Sequence, residues 1–256
     1  MATQALPDGD SAGTFFGHPK GLFVLFFAEM WERFSYYGMR ALLIFYLVQH
    51  WLFSDSEASI IYGAYTALVY IAPVVGGYLA DRYLGQRKAV LFGAVLLTFG
   101  HFFMAFEGDG GQGSAIMNVF WLALALIIVG SGFLKANISV MVGQLYPRTD
   151  IRRDPAYTIF YMGINIGSLI AYLVTGYLQE NWGWHYAFGA AAVGMAIGLI
   201  QYYFSNRSLS ADSVAPANPY QGAAKQRAWM GVWAVIALAV VVIVLAHMGT
   251  IVIEPV

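Results

Sequence analysis

Cysteine is absent from the 256 residues, which excludes a disulfide framework, thiolate chemistry and a Cys-ligated metal. Charge is scarce as well. Asp, Glu, Lys and Arg make up 11% of the chain, where a soluble domain of this size would hold about 25%. The net charge of −1 argues against nucleic acid as a partner. The five histidines form no spaced ligand pair. His18, His50 and His185 fall near the ends of apolar segments, and His101 and His247 lie within them, so neither a metal nor a haem is expected. There is no nucleophile–histidine arrangement and no pair of aspartates, so the chain does not read as an enzyme and no cofactor is expected. A cleavable leader is not expected either, because the first fourteen residues are polar and show no basic stretch followed by a short apolar core.

What the chain has instead is apolar length. Hydrophobic residues account for 59% of it, the mean hydropathy is +0.63, and apolar runs of about twenty residues or more recur throughout. This composition predicts an all-α transmembrane fold. Seven spans are expected, over 21–49, 56–80, 88–106, 117–146, 155–180, 184–205 and 228–253. Polar or Gly/Pro-rich breaks separate them: Ser54-Asp55-Ser56, Asp81 to Lys88, Glu107 to Ser114, Pro147 to Pro155, and Asn181-Trp182-Gly183. The domain reading is a tail over 1–20, six spans over 21–205, a polar linker over 206–227 with Pro216 and Pro219, and a further helix over 228–253.

Basic residues set the orientation. Of thirteen Lys and Arg, Arg33, Arg40 and Lys135 lie inside spans. The other ten are Lys20, Arg82, Arg87, Lys88, Arg148, Arg152, Arg153, Arg207, Lys225 and Arg227, and all fall on one side. The opposite loops carry Asp55, Glu57, Glu107, Asp109 and Glu180 and no basic residue. The positive-inside rule then puts the N-terminus in the cytoplasm.

Against this background the first span is anomalous. Glu29, Glu32, Arg33, Tyr36 and Tyr37 follow at i, i+3, i+4, i+7 and i+8, a spacing that places them on one helix face. A charge near the bilayer centre costs about 2.5–3.5 kcal/mol on insertion scales, so groups kept at that cost point to a substrate or ion path. At 1.5 Å per residue, Glu32 and Arg33 lie about 17 Å from the inner end, Lys135 about 16 Å, and Asn165 and Tyr70 about 15 Å. Four spans thus bring polar groups near the midplane, where transporters bind substrate. Each has a plainer reading. Glu29 and Arg33 form an i, i+4 pair, Lys135 could snorkel, Asn165 could join helices, and Tyr70 could be packing. Gly163 and Gly167 bracket Asn165, which sets its amide in a tight helix contact or beside a cavity.

These residues resemble a known group. Glu29-x-x-Glu32-Arg33-Phe34-x-Tyr36-Tyr37-Gly38 is similar to the ExxERFxYYG motif of the proton-dependent oligopeptide transporter family, within the major facilitator superfamily. Gly76-Gly77-Tyr78-Leu79-Ala80-Asp81-Arg82-Tyr83-Leu84-Gly85 resembles its first signature, Phe160-Tyr161-x-x-Ile164-Asn165-x-Gly167 its second, and Phe133-Leu134-Lys135-Ala136-Asn137 the segment carrying its lysine. The resemblance covers about residues 18–205. It implies a six-helix amino-terminal bundle, with 228–253 similar to the first of two helices placed between the bundles of bacterial members. It also implies proton-driven uptake of di- and tripeptides across the plasma membrane, in bacteria the inner membrane. Arg33 and Lys135 are expected on the peptide carboxylate and Asn165 and Tyr70 on its backbone, with Tyr36 and Tyr37 also among the substrate-binding residues. Glu29 and Glu32 are expected in proton coupling, and Asp81 and Arg82 in a conformational loop. Gly63, where animal relatives carry histidine, favours a bacterial type. The partners implied are peptides, protons, the lipid bilayer and a carboxy-terminal bundle beyond Val256.

Two other functions fit parts of the pattern. A related carrier for nitrate or another small anion would use the same Arg–Lys pocket. A seven-helix retinal photoreceptor matches the span count, but its lysine belongs on the seventh helix and its N-terminus outside.

Overall fold

Six long helices carry the chain from Lys20 to Ser205 in a computed structural model that describes residues 13–219 apart from 107, 109 and 115, together with 221–223, 226, 227 and 230. They are α1 (Lys20–Gln49), α2 (Asp55–Leu79), α3 (Gln86–Met104), α4 (Met117–Gln144), α5 (Arg153–Trp182) and α6 (Trp184–Ser205). All belong to a unit spanning Met1–Ala217. The helix expected over 228–253 falls in a second unit, Asn218–Val256, and lies outside the described residues apart from Met230.

Local chemistry explains where the helices start and stop. At α2 the Ser54 hydroxyl accepts from Glu57 N, and the Glu57 carboxylate accepts from Ser54 N. This reciprocal cap satisfies two otherwise orphaned donors. Gly183, at φ +96°, lets α5 end and α6 begin without an intervening loop. Gly85, at φ +79°, does the same before α3. The break expected over Asp81 to Lys88 is a correction. Helix α2 runs straight into a π turn, Ala80–Leu84, and the chain parts only at Gly85. Asp81 and Arg82 are therefore helical rather than in an open loop, with the Asp81 carboxylate accepting from Gln86 Nε2 at 2.8 Å.

Five described helical segments are long and apolar enough to cross a membrane: Asp55–Leu84, Gln86–Met104, Met117–Gln144, Arg153–Trp182 and Trp184–Ser208. Helix α1, at 30 residues, is equally long but carries Lys20, Glu29, Glu32, Arg33 and Arg40.

Helices α3 and α6 pair behind α4 and α1 respectively, α5 lies along α1, and α2 lies along α4. Exchanging α1, α2, α3 for α4, α5, α6 maps α1–α5 onto α4–α2 and α1–α6 onto α4–α3, as an inverted repeat requires. Glycines set the two matching seams. A Cβ on Gly76 of α2 would strike the Gly132 carbonyl of α4, and one on Gly167 of α5 would strike the Met30 carbonyl of α1. Small residues let membrane helices meet backbone to backbone.

At the end of the bundle where α1 begins and α6 ends, residues read from sequence as tail and linker are partly structured. A two-stranded hairpin pairs Thr14–Phe15 with His18–Pro19. His18 Nδ1 shares a 2.7 Å hydrogen bond with Tyr146 Oη, and Arg152 donates to the Gly17 carbonyl at 3.0 Å. After α6 the chain doubles back in two 3-10 turns, Asn206–Ser208 and Ala211–Ser213. Arg87 holds it there, donating to the Leu209 and Ser210 carbonyls at 2.9 Å each and to Ser213 Oγ at 3.3 Å.

Candidate functional site

Glu29, Glu32 and Arg33 are 3%, 1% and 3% exposed, so the charged face of α1 is buried in the bundle rather than turned to lipid. Arg33 Nε donates to Glu29 Oε1 at 2.7 Å, one helical turn back. It lies equally close to Glu32 Oε2, also 2.7 Å. That second approach is off the N–H direction, so Glu32 is paired by charge and not by a directed hydrogen bond. One cation thus serves two carboxylates. Glu29 Oε2, both Glu32 oxygens and Arg33 Nη2 are buried with no hydrogen-bond partner among the described residues. Such groups are costly to leave unpaired in a buried site.

Helix α4 brings the second cation. Lys135 Nζ lies 4.9 Å from the ring centroid of Tyr36 on α1 and 4.9 Å from that of Tyr70 on α2. Two aromatic faces hold the ammonium by cation–π attraction, and Lys135 does not snorkel. Its electrostatic neighbours are Arg33, Glu32, Glu29 and Arg40, so the α1 cluster and Lys135 form one charged group. Tyr70 itself is 60% exposed, with its ring at the edge of the group.

Tyr36 and Tyr37 stay in edge-to-face contact, their ring centroids 5.1 Å apart, but lean toward different helices. Tyr36 is 1% exposed and turns toward Lys135. Tyr37 is half-buried, with its ring 6.1 Å from Tyr172 of α5. Adjacent helical residues point about 100° apart, enough to divide the pair between α4 and α5.

Asn165 is not brought to the cations by any contact among the described residues. It is exposed, and its Nδ2 donates to the Tyr161 carbonyl of its own helix at 3.0 Å. Gly163 and Gly167 do form a tight seam, against Phe26 and Met30 of α1. Asn165 lies between them in sequence and so points away, in an exposed stripe with Tyr161, Leu169 and Tyr172. Tyr70, Val74 and Tyr78 form a similar exposed stripe on α2.

Arg40 received no role from sequence. It is half-buried one turn above Tyr36, with Nε donating to Tyr62 Oη at 2.9 Å and its guanidinium carbon 5.7 Å from the Tyr62 ring and 6.0 Å from the Tyr36 ring. Tyr62 and the buried Tyr65 were missed too, although the 62, 65/66, 69/70 spacing along α2 is a helical stripe that carries the signal.

The family description PTR2, POT family, matches residues 87–247. The peptide transporter YePEPT of Yersinia enterocolitica is 40% identical over 259 residues, covering 95% of this chain and 48% of that protein. A di-/tripeptide transporter of Lactococcus lactis subsp. lactis is 39% identical over 236 residues, covering 89% and 46%. An uncharacterized transporter of Bacillus subtilis, YclF, is 47% identical over 198 residues, covering 75% and 39%. Among solved structures, peptide transporter POT in complex with sulfate superposes with a TM-score of 0.85 at 40% identity, covering 95% of this chain and 49% of that one. A POT family transporter in complex with 5-aminolevulinic acid gives 0.85 at 37%, covering 94% and 50%. The chain spans about half the length, or less, of the relatives it matches.

Proposed function

This chain belongs to the POT family, and from that premise we propose that it forms one bundle of a carrier moving di- and tripeptides with protons across the cell membrane. It is a multi-pass helical membrane protein, and its relatives of known name are transporters. A second bundle of similar size is proposed to complete the carrier. The exposed stripes of α2 and α5, which carry Tyr70 and Asn165, are the faces it would cover. The ten basic residues other than Arg33, Arg40 and Lys135, which the sequence sets on one side, favour a cytoplasmic N-terminus.

The observation that carries the proposal is the buried Glu29–Arg33–Glu32 cluster next to Lys135. A peptide carboxylate needs a cation, and Arg33 offers a planar fork whose Nη2 has no hydrogen-bond partner among the described residues. Lys135, held between Tyr36 and Tyr70, supplies a point charge beside it. A substrate carboxylate arriving at Arg33 competes with Glu29 and Glu32 for the same guanidinium. A carboxylate left buried without its cation is neutralised by a proton. Exchange of partners at Arg33 therefore links peptide binding to proton uptake. Tyr37, Tyr70 and Asn165 contact the peptide in ways that ignore its side chains, and the turn with Asp81 and Arg82 responds to the bundle's motion.

The test is uptake of a labelled dipeptide by the complete carrier in proteoliposomes under an inward proton gradient. Lys135→Ala and Arg33→Ala should each abolish it. Unchanged uptake would overturn the site assignment, and a wild-type carrier that ignores dipeptides would overturn the substrate.

A further inference from the structure

Asn137 lies two residues past Lys135 on α4, is 1% exposed, and is not used by the mechanism above. A carboxamide NH2 has two donors. Asn137 Nδ2 donates to the Phe133 carbonyl of its own helix at 2.7 Å and to the Gly76 carbonyl of α2 at 3.4 Å. The second acceptor has a special position. The Gly76 carbonyl also takes the N–H of Ala80, which divides between Gly76 and Gly77. Ala80 is where α2 widens into the π turn that carries Asp81 and Arg82. Turns of this kind are rare and gather at functional sites.

The surrounding seam leaves α2 and α4 little freedom to slide. A Cβ on Gly132 would lie 2.9 Å from the Ala72 backbone, and one on Gly76 would strike the Gly132 carbonyl. Helix α2 therefore meets α4 at two levels. Above, Tyr70 faces Lys135. Below, by six residues or about 9 Å of helix, Gly76 receives Asn137. A rotation of α4 that draws Lys135 from Tyr70 also pulls on the carbonyl at the head of the π turn.

We propose that Asn137 is a positioning residue that ties the register of α4, and so of Lys135, to the π turn bearing Asp81 and Arg82. It transmits a change at the cation to the inner end of α2. The proposal rests on the carrier function argued above, but its structural half can be measured separately.

The test uses the complete carrier with Asn137→Asp, which keeps the shape but sets an oxygen against the Gly76 carbonyl, and Asn137→Ser, which is gentler on packing. Amide hydrogen exchange over 80–85 should quicken by about tenfold in Asn137→Asp, the scale of one lost hydrogen bond, and by less in Asn137→Ser. Exchange over 49–54 should not change. Gradient-driven uptake should fall by about tenfold while the dipeptide Kd, measured without a gradient, moves less than about twofold. Unchanged exchange over 80–85 would overturn the proposal. So would faster exchange spread evenly over α2 and α4, which means a loss of packing alone, or a Kd that weakens in step with uptake, which means a direct role at the site. A wild-type carrier without dipeptide uptake would overturn the function instead and leave the exchange result standing.

Discussion

Gly76→Ala probes the seam on which Lys135 and Tyr70 depend for their approach. An ideal Cβ at residue 76 would strike the Gly132 carbonyl oxygen and lie 2.5 Å from its carbon and 2.8 Å from Phe133 N. Ordinary contact is 3.4–4 Å, so the two helices must part by about 1 Å. All three obstacles are backbone atoms, and none can swing aside. Overpacking of this kind costs about 1–3 kcal/mol, and the severity of the overlap points to the upper end. Alanine recovers about 0.5–1 kcal/mol over glycine inside a helix, leaving a net loss of about 2 kcal/mol. Gly63 on the same helix is the control, because a Cβ there meets nothing within 4 Å. Gly63→Ala should therefore stabilise by about 0.5–1 kcal/mol. The two variants differ by about 3 kcal/mol, and at about 2–4 °C per kcal/mol for a chain of this size their Tm values separate by roughly 6–12 °C. Thermal unfolding of the purified proteins, followed by tryptophan fluorescence, measures this. If Gly76→Ala melts within about 2 °C of Gly63→Ala, the backbone contact does not exist as described.

Arg33→Met strips Glu29 and Glu32 of their buried counter-ion and should cost about 3–5 kcal/mol. The triple variant Glu29→Gln, Glu32→Gln, Arg33→Met should recover most of that in the same melting assay. A triple variant no more stable than the single one would contradict a cation-centred cluster. In the turn between α4 and α5, hydrogen bonds from the Arg152 side chain and backbone N–H lower the Asp150 carboxyl from 3.8 to about 2. A carboxyl lowered by folding contributes stability above its unfolded value and loses it as pH falls through the folded one. The stability difference between wild type and Asp150→Asn should thus hold steady above about pH 4 and fade toward pH 2. Melting curves across that window check it, and a difference that persists unchanged at pH 2 would refute it.

Much of the fold is visible in the sequence for a solvent reason. In lipid each spanning segment satisfies its backbone internally, so apolar length and Gly/Pro breaks report helices directly. The breaks at Ser54 and Gly183 fall where the sequence puts them. Asp81 and Arg82 misled because polar residues look like a loop, whereas one widened turn absorbs them into α2. Residues 206–214 misled for a related reason. Their polarity says nothing of Arg87, more than a hundred positions earlier, which gathers their carbonyls.

The site divides in the same way. Composition determined that this is a helical membrane protein, and spacing determined that Glu29, Glu32 and Arg33 share a face, because local periodicity needs no partner. The family was legible as well, because its motifs are short and contiguous. Tertiary structure alone decided which way each helix turns that face. It buried the α1 cluster, set Lys135 between Tyr36 and Tyr70, sent Tyr37 toward α5, left Asn165 exposed, and placed Asn137 against Gly76. Those outcomes depend on helix rotation and register, and these are set by where glycines allow two backbones to meet.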